Sequence, residues 1–343
     1  MTAAMRVDDN TDTVLEVTDL SLRRVGSTNP ASLVQSVSFE VRHGECLALI
    51  GESGCGKTLT SMAILGLLPN AIEVASGSVR LAGEEILGQS EREYSRIRGT
   101  KIGAIFQDPM SSLDPTMKVG DQIAEARRIH LGESRAQGLR RAVELLDLVG
   151  IANAKSRLGS YPFEMSGGMQ QRAMIAAAIS CDPAILIADE PTTALDVTVQ
   201  AGVLDLLRTL QADLGLAVLL VTHDLGVVAD FSDRLAVMYA GQIVERGTTR
   251  QLLDELPLHP YTKALSASVA QMGAAHTLLP TISGRVPSAD DMPVGCRFMK
   301  RCAFADPARC GLPQEEIAVG DDRTARCIRV HEINDIEVVT SGR

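Results

Sequence analysis

No uncharged apolar run in this 343-residue chain approaches the roughly 18 to 20 residues that cross a bilayer, and Met1 to Asn10 contains no apolar signal core. The sequence therefore predicts a chain that is itself soluble and cytoplasmic. A basic excess is missing as well. Lys and Arg number 33 against 43 Asp and Glu, a formal net charge of -10, which argues against a broad electrostatic grip on nucleic acid and leaves room only for a local basic patch. The cysteines do not pair off: seven are present, an odd number without a secretory signal, so a disulfide framework is not expected. Internal repeats and low-complexity tracts are absent. What is present is ordinary globular composition, 45% hydrophobic and 22% charged. At this length, one large domain with an appendage or two domains is expected.

Short continuous apolar runs mark strands buried on both faces of a sheet. Cys46 to Ile50 is one and ends at glycine; Ala184 to Ala188 and Ala217 to Val221 are two more, each leading into polar, chemically capable residues. Helical periodicity over Thr58 to Leu68 and Val199 to Leu214 lies between them, so strands and helices alternate and a mainly parallel α/β sheet is implied. Ligands of such sheets bind beyond the carboxyl ends of the strands, where these polar residues fall. From about Asp108 to Ser180 the alternation breaks. Helical patterns at Gly120 to His130 and Arg135 to Val149, without a strong strand, predict a helical insertion. After Gly247 a helix-like segment leads to Pro257 and Pro260, then to a proline-, glycine- and cysteine-rich tail, which sets a boundary near residue 258.

The segment Gly51-Glu52-Ser53-Gly54-Cys55-Gly56-Lys57-Thr58 fits the phosphate-binding loop G-x-x-x-x-G-K-[ST], between a strand and a helix as that motif requires. Its glycines let backbone N–H groups turn inward around a β-phosphate, Lys57 supplies a point charge for the β and γ oxygens, and Thr58 offers a hydroxyl to Mg²⁺. Cys55 reads as a small residue whose backbone matters, not as a redox site. Asp189 and Glu190 follow the second buried strand. There Asp189 is placed to hold Mg²⁺ through water and Glu190 to act as general base or to polarise the attacking water. His223, after the third strand, is placed to reach a γ-phosphate and orient that water; Gln107 is a polar stop after a short apolar run, able to contact metal and water. Met165-Ser166-Gly167-Gly168-Met169 before a helix makes a second anion-binding nest. One fold with two phosphate nests predicts a head-to-tail dimer with ATP sandwiched between subunits.

Taken together, these residues resemble the ABC ATPase family over roughly residues 14 to 255. The resemblance implies an α/β P-loop NTPase fold with a mixed-sheet core, an antiparallel β subdomain and a helical subdomain at about 108–180, followed by a small cysteine-containing C-terminal extension. It makes Gly51 to Thr58 the Walker A loop, Gln107 the Q-loop glutamine, Ser166 to Met169 most of the signature motif, Ile185 to Glu190 Walker B, Ala194-Leu195-Asp196 the D-loop and His223 the switch histidine. Two departures from the family stand out. Leu22, Arg23 and Arg24 stand where an aromatic residue usually stacks on adenine, so stacking falls to an arginine plane or is weakened. Met169 replaces the usual glutamine of the signature while the nest itself is kept.

Gly51-Glu52-Ser53-Gly54, Phe106 to Pro115 and Ser166 to Arg172 look like the dipeptide, oligopeptide and nickel importers within that family, as do His259 to Leu265, Gly284 to Pro287 and Gly295 to Phe304 in the tail. An ATPase at residues 1–258, with a transporter-type extension at 259–343, is the implied division. The implied partners are a second, related ABC ATPase subunit, two transmembrane permeases and an extracytoplasmic substrate-binding protein. The implied location is the cytoplasmic side of the inner membrane, peripherally bound, with ATP and Mg²⁺ as cofactors and peptides as the solute; nickel or glutathione import, or a soluble ABC ATPase without a permease, are the alternatives. Cys296, Cys302, Cys310 and Cys327, separated by five, seven and sixteen residues, supply four thiols and no C-x₂-C pair. They read as ligands of a [4Fe-4S] cluster, which some members of that subfamily hold, or of zinc, or as unligated structural thiols. Arg297, Lys300 and Arg301 nearby offset thiolate charge in the first case and form a solvated basic face in the plainer one.

Overall fold

Continuous apolar runs become fully buried strands here, as they must where both faces of a sheet are covered. The computed structural model describes residues 12–26, 32–106, 112–192, 197–270, 282–288, 291–320 and 322–333. Strands β1 (Thr13–Arg24), β2 (Val34–Arg42), β3 (Cys46–Ile50) and β4 (Ile72–Leu81) come first, and a two-residue β5 (Glu84–Glu85) and β6 (Ile102–Ile105) precede a run of helices. Then follow β7 (Ile185–Asp189), β8 (Ala217–Thr222), β9 (Arg234–Tyr239) and β10 (Gln242–Thr248), with the short β11 (Ile317–Ala318) and β12 (Thr324–Ala325) in the tail. Every residue of β3, β7, β8 and β9 is buried.

The chain divides into two compact units, one of Met1–Leu15, Val41–Cys46 and Leu81–Val221, the other of Glu16–Glu40, Leu47–Arg80 and Thr222–Arg343. In the first, β6, β7 and β8 run parallel, with Ile105 opposite Ala188 and Asp189 opposite Val221. Helices Val119–Leu131, Arg135–Leu148 and Gly167–Ala178 pack on one another. The first two approach so closely that a Cβ on Gly138 would lie 2.8 Å from the Ala124 methyl. Ser134 starts the helix Arg135–Leu148 with a capping box, its hydroxyl accepting from the Gln137 N–H.

In the second unit β3 runs parallel to β9, from Leu47 opposite Arg234 to Ile50 opposite Val237. From β9 onward the pairing is antiparallel: β10 returns beside β9, and β12 then β11 of the tail add to β10, with Glu245 opposite Ala325. The sheet is thus mixed, and the tail extends the same run of strands that carries the phosphate loop. Leu258, Ala325, Cys327, Val330 and Ile333 close a small apolar core beneath it.

Candidate nucleotide site

At the end of β3 the chain turns at once, with Gly51 at φ 156° and Gly56 at φ 109°. A Cβ on Gly51 would lie 2.1 Å from the Met238 carbonyl oxygen, so the neighbouring strand β9 permits only glycine there, while at Gly56 the positive φ itself calls for glycine. The helix Lys57–Leu65 starts directly after Gly56. Lys57, 6% exposed, donates from Nζ to the carbonyls of Gly51 (2.7 Å) and Glu52 (3.2 Å), holding the ammonium inside its own loop. Ser53, Gly54 and Thr58 are exposed, so the loop's open side carries a hydroxyl at the start of a helix, as a metal-bound phosphate requires. Burial raises the Cys55 thiol above its ordinary pKa, with the ammonium of Lys57 only partly offsetting it, and a neutral thiol agrees with a packing role. The Cys55 carbonyl accepts from the Gly241 N–H at 2.8 Å.

Asp189, 8% exposed, ends β7 at the carboxyl edge of its sheet. Glu190 follows in the left-handed region at φ 49°, a conformation costing about 1 kcal/mol, and its N–H is fixed to the Val221 carbonyl at 2.7 Å. The Gln171 side-chain amide, 1% exposed, donates to the Pro191 carbonyl, tying the acidic turn to the helix that follows the signature. Ser166 caps that helix, its hydroxyl accepting from the Met169 N–H at 3.3 Å, while Ser166 and Gly167 are exposed. A Cβ on Gly168 would lie 2.9 Å from Val199, so only glycine lets the nest sit this close to the helix Val197–Leu214. Gln170 donates to the carbonyls of Pro162 (2.8 Å) and Met165 (3.2 Å), and Arg172 to those of Val149 and Gly202. The Gln-Gln-Arg run therefore braces the nest from behind.

His223 is exposed at the end of β8, in a turn closed by the Asp224 N–H to the Thr222 hydroxyl (3.0 Å) and by the Asp224 carboxylate, which accepts from Gly226 N–H at 2.8 Å. The phosphate loop and His223 belong to the second unit; Asp189, Glu190 and Ser166–Met169 belong to the first. Gln107 and Asp196 lie outside the described residues. At the position expected to stack on adenine, Leu22 is fully buried and the Arg23 guanidinium is bound to Glu73 at 2.7 Å.

The expected iron–sulfur or other metal site in the tail is not borne out. Among the described residues no group of three or more His, Cys, Asp or Glu side chains is arranged to hold a metal ion. Cys296, Cys302, Cys310 and Cys327 do line one cavity, but its volume of about 10 Å³ is room for a single water at most. Burial also pushes the thiols of Cys302 up to about 11 and of Cys327 up to about 12, whereas ligation needs thiolates. Spacing in the sequence counts thiols and says nothing of their ionisation. The four residues stand as structural thiols, all free. Nor do the nearby arginines form a solvated face: Arg297 is 5% exposed, as is the Arg301 side chain.

Sequence reasoning missed what three residues of the second unit do. Tyr261, fully buried, accepts the Glu52 N–H on its hydroxyl at 3.0 Å; Arg301 donates to the Glu52 carboxylate at 2.9 Å; and Glu245, 0% exposed, accepts from the N–H groups of Leu258 and His259, both at 2.9 Å, and from Arg323 at 3.1 Å. The one signal in the sequence for Glu245 is a carboxylate directly after the apolar pair Ile243 and Val244.

The ABC transporter family matches residues 34–193, and the C-terminal region of the oligopeptide/dipeptide transporters matches residues 244–310. A probable peptide ABC transporter ATP-binding protein of Sinorhizobium fredii is 46% identical over 337 residues, 96% of this chain and 99% of that one. An oligopeptide transport ATP-binding protein of Bacillus subtilis is 43% identical over 322 residues, covering 93% and 98% respectively. Among solved structures, the dimeric structure of a bacterial ABC transporter cassette aligns with 69% of this chain and 99% of its own at a TM-score of 0.60 and 26% identity. The structure of cbiO1 from Clostridium perfringens, part of an ABC transporter complex, aligns with 71% of this chain and 92% of its own at a TM-score of 0.63 and 25% identity. Among the described residues no helix is long and apolar enough to cross a membrane. A phosphate loop whose glycines are sterically required, an acid pair at a strand end and a glycine nest at a helix start have the same meaning as these likenesses: the chain belongs to the ABC transporter family, as an ATP-binding, ATP-hydrolysing member.

Proposed function

We propose that this chain is one of two ATPase subunits, the other a related but distinct protein, that close on ATP and drive two membrane permeases importing peptides delivered by an extracytoplasmic binding protein. The observation that carries the reading is the company the phosphate loop keeps. One chain holds Gly51–Thr58, the acid pair Asp189–Glu190 and the signature nest, and 93 to 96% of it is similar to proteins described as peptide-transport ATP-binding proteins. The ATPase occupies 1–258 and the extension 259–343, and the subunit sits peripherally on the cytoplasmic side of the inner membrane.

In this reading the backbone N–H groups of Gly51 to Thr58 surround the β-phosphate, Lys57 faces the β and γ oxygens, and Thr58 with Gln107 would hold Mg²⁺ and Asp189 would reach it through water, the ion supplying positive charge to the phosphate oxygens. Glu190 takes the proton from the attacking water, and His223 orients that water against the γ-phosphate. Ser166 to Met169 contact the triphosphate held by the partner subunit, and Asp196 belongs to the D-loop. Closure on ATP is the working step, and hydrolysis returns the pair to the open state.

Glu190→Gln tests the chemistry. It is expected to lower phosphate release by about a hundredfold or more while equilibrium ATP binding is retained; unchanged hydrolysis removes Glu190 from its role. The solute is tested by reconstituting the chain with its permeases in vesicles and measuring ATPase stimulation by binding protein loaded with peptide, nickel or glutathione. Stimulation by peptide alone supports the reading, and stimulation by either of the others redirects it.

A further inference from the structure

Glu52, the second residue of the phosphate loop, is held by the tail through two separate atoms. Its N–H donates to the Tyr261 hydroxyl at 3.0 Å, and its carboxylate accepts from Arg301 Nη1 at 2.9 Å, 249 residues further along the chain. Neither holding residue is a loose surface group. Tyr261 is fully buried against Tyr239 and Phe298, with ring centroids 4.7 and 5.4 Å away. The Arg301 side chain is 5% exposed, and every arm of its guanidinium is in use: Nε donates to the Ser283 carbonyl at 2.9 Å, Nη2 to the Ile282 carbonyl at 3.1 Å, and Nη1 also to the Tyr239 hydroxyl at 3.3 Å. The plane lies over the Tyr239 and Phe298 rings, 5.6 and 5.9 Å from their centroids.

A second arginine, four residues earlier, acts on the loop's other arm. Arg297 donates to the Ala240 carbonyl and to the Gln35 side chain. Ala240 sits at φ 47° in the β9–β10 turn, whose next residue, Gly241, donates its N–H to the Cys55 carbonyl. The loop between Gly51 and Gly56 is therefore gripped at Glu52 directly and at Cys55 through the turn, both times by the segment 296–302.

We propose that this tail segment is a clamp for the phosphate loop, with Arg301 a positioning residue that neutralises Glu52 and thereby sets nucleotide affinity from the C-terminal extension. The proposal rests on reading Gly51–Thr58 as the cradle of the ATP phosphates. A carboxylate on the second residue of that cradle faces a polyanion of the same sign, and its repulsion is suppressed only while a cation is fixed beside it. Tyr261 holds the same residue's backbone without adding charge, so the two contacts separate orientation from electrostatics.

The test is a double-mutant cycle on the full chain, reading the equilibrium dissociation constant of a fluorescent ATP analogue and, separately, KM and kcat for ATP. Arg301→Ala is expected to weaken binding and raise KM about tenfold with kcat little changed. Adding Glu52→Gln in that background is expected to restore affinity to within about threefold of wild type, because the repelling charge is gone although the arginine is still missing. A purely structural role for Arg301 predicts no such rescue; a double variant as weak as Arg301→Ala, or unchanged affinity in Arg301→Ala, overturns the clamp. If Arg301→Ala does not fold, Arg301→Gln takes its place in the same cycle, and rescue by Glu52→Gln decides in the same way. Lys57→Ala is the control: if it binds the nucleotide as wild type does, the cradle reading itself fails, whatever the Arg301 cycle shows.

Discussion

Replacing Glu245 by alanine removes the acceptor that fastens the tail to β10. This carboxylate is 0% exposed and accepts from Leu258 N–H and His259 N–H, both at 2.9 Å, while Arg323, with an 11% exposed side chain, pairs with it at 3.1 Å. Each lost N–H bond to a charged acceptor costs about 1.5 kcal/mol, and the arginine left behind adds about 1 kcal/mol more, so a loss of about 4 kcal/mol is expected. For a chain of this size that corresponds to a fall in Tm of about 8 °C, at about 2 °C per kcal/mol. Thermal unfolding followed by dye fluorescence reads the shift, and amide hydrogen exchange should show the Leu258 and His259 N–H groups losing protection. Glu245→Gln, which keeps the shape but offers one acceptor oxygen where two are used, should fall between the alanine variant and wild type. A Tm within about 2 °C of wild type in Glu245→Ala, with protection intact, would refute the reasoning.

Two further outcomes follow from the tail. His259 is 1% exposed, its Nδ1 accepts the Tyr261 N–H at 3.1 Å, and burial lowers its pKa from 6.5 to about 3, so the unfolded chain takes up a proton that the folded one refuses. The stability this residue contributes is complete above about pH 6.5 and is lost as pH falls through that value towards 3, by about 2 kcal/mol at pH 5; urea midpoints at pH 7.5 and 5 should differ less in His259→Asn, and an equal pH slope in the two proteins would sink the idea. Because burial holds the Cys302 and Cys327 thiols at about 11 and about 12, about one in a thousand or fewer is ionised at pH 8. Iodoacetamide at that pH should leave both intact in the native chain and modify both in urea, as read by mass spectrometry; rapid native labelling would contradict it.

The phosphate loop, the acid pair and the signature were legible because each is a short contiguous pattern tied to a strand or helix end. Cys46 to Ile50 and Ala217 to Val221 announced themselves by unbroken apolar runs, and the structure places strands there. Strands β1 and β4 did not, because their burial is irregular: Gly77 and Ser78 of β4 are exposed or only half-buried, and in β1 the exposed pair Thr18 and Asp19 separates buried Val17 from three buried residues in a row. The antiparallel end of the sheet was hidden for another reason. It is completed by β12, about 80 residues beyond its partner β10, and no local period reports so distant a pairing. The same holds for Arg301 and Glu52. The tail cysteines misled because proximity in sequence suggested a ligand set, whereas burial, which the sequence does not display, keeps the Cys302 and Cys327 thiols neutral and leaves the cavity that the four line too small for a cluster.

The buried carboxylate of β10 also bears on how the chain tolerates truncation. A glutamate at that place is tolerable only while the Leu258 and His259 amides and Arg323 meet it, and Glu52 leans on Tyr261 and Arg301 in the same way. Cutting the chain after residue 258 would strip Glu245 of His259 and Arg323 and Glu52 of Tyr261 and Arg301, so the shortened chain would carry two carboxylates whose partners had gone together.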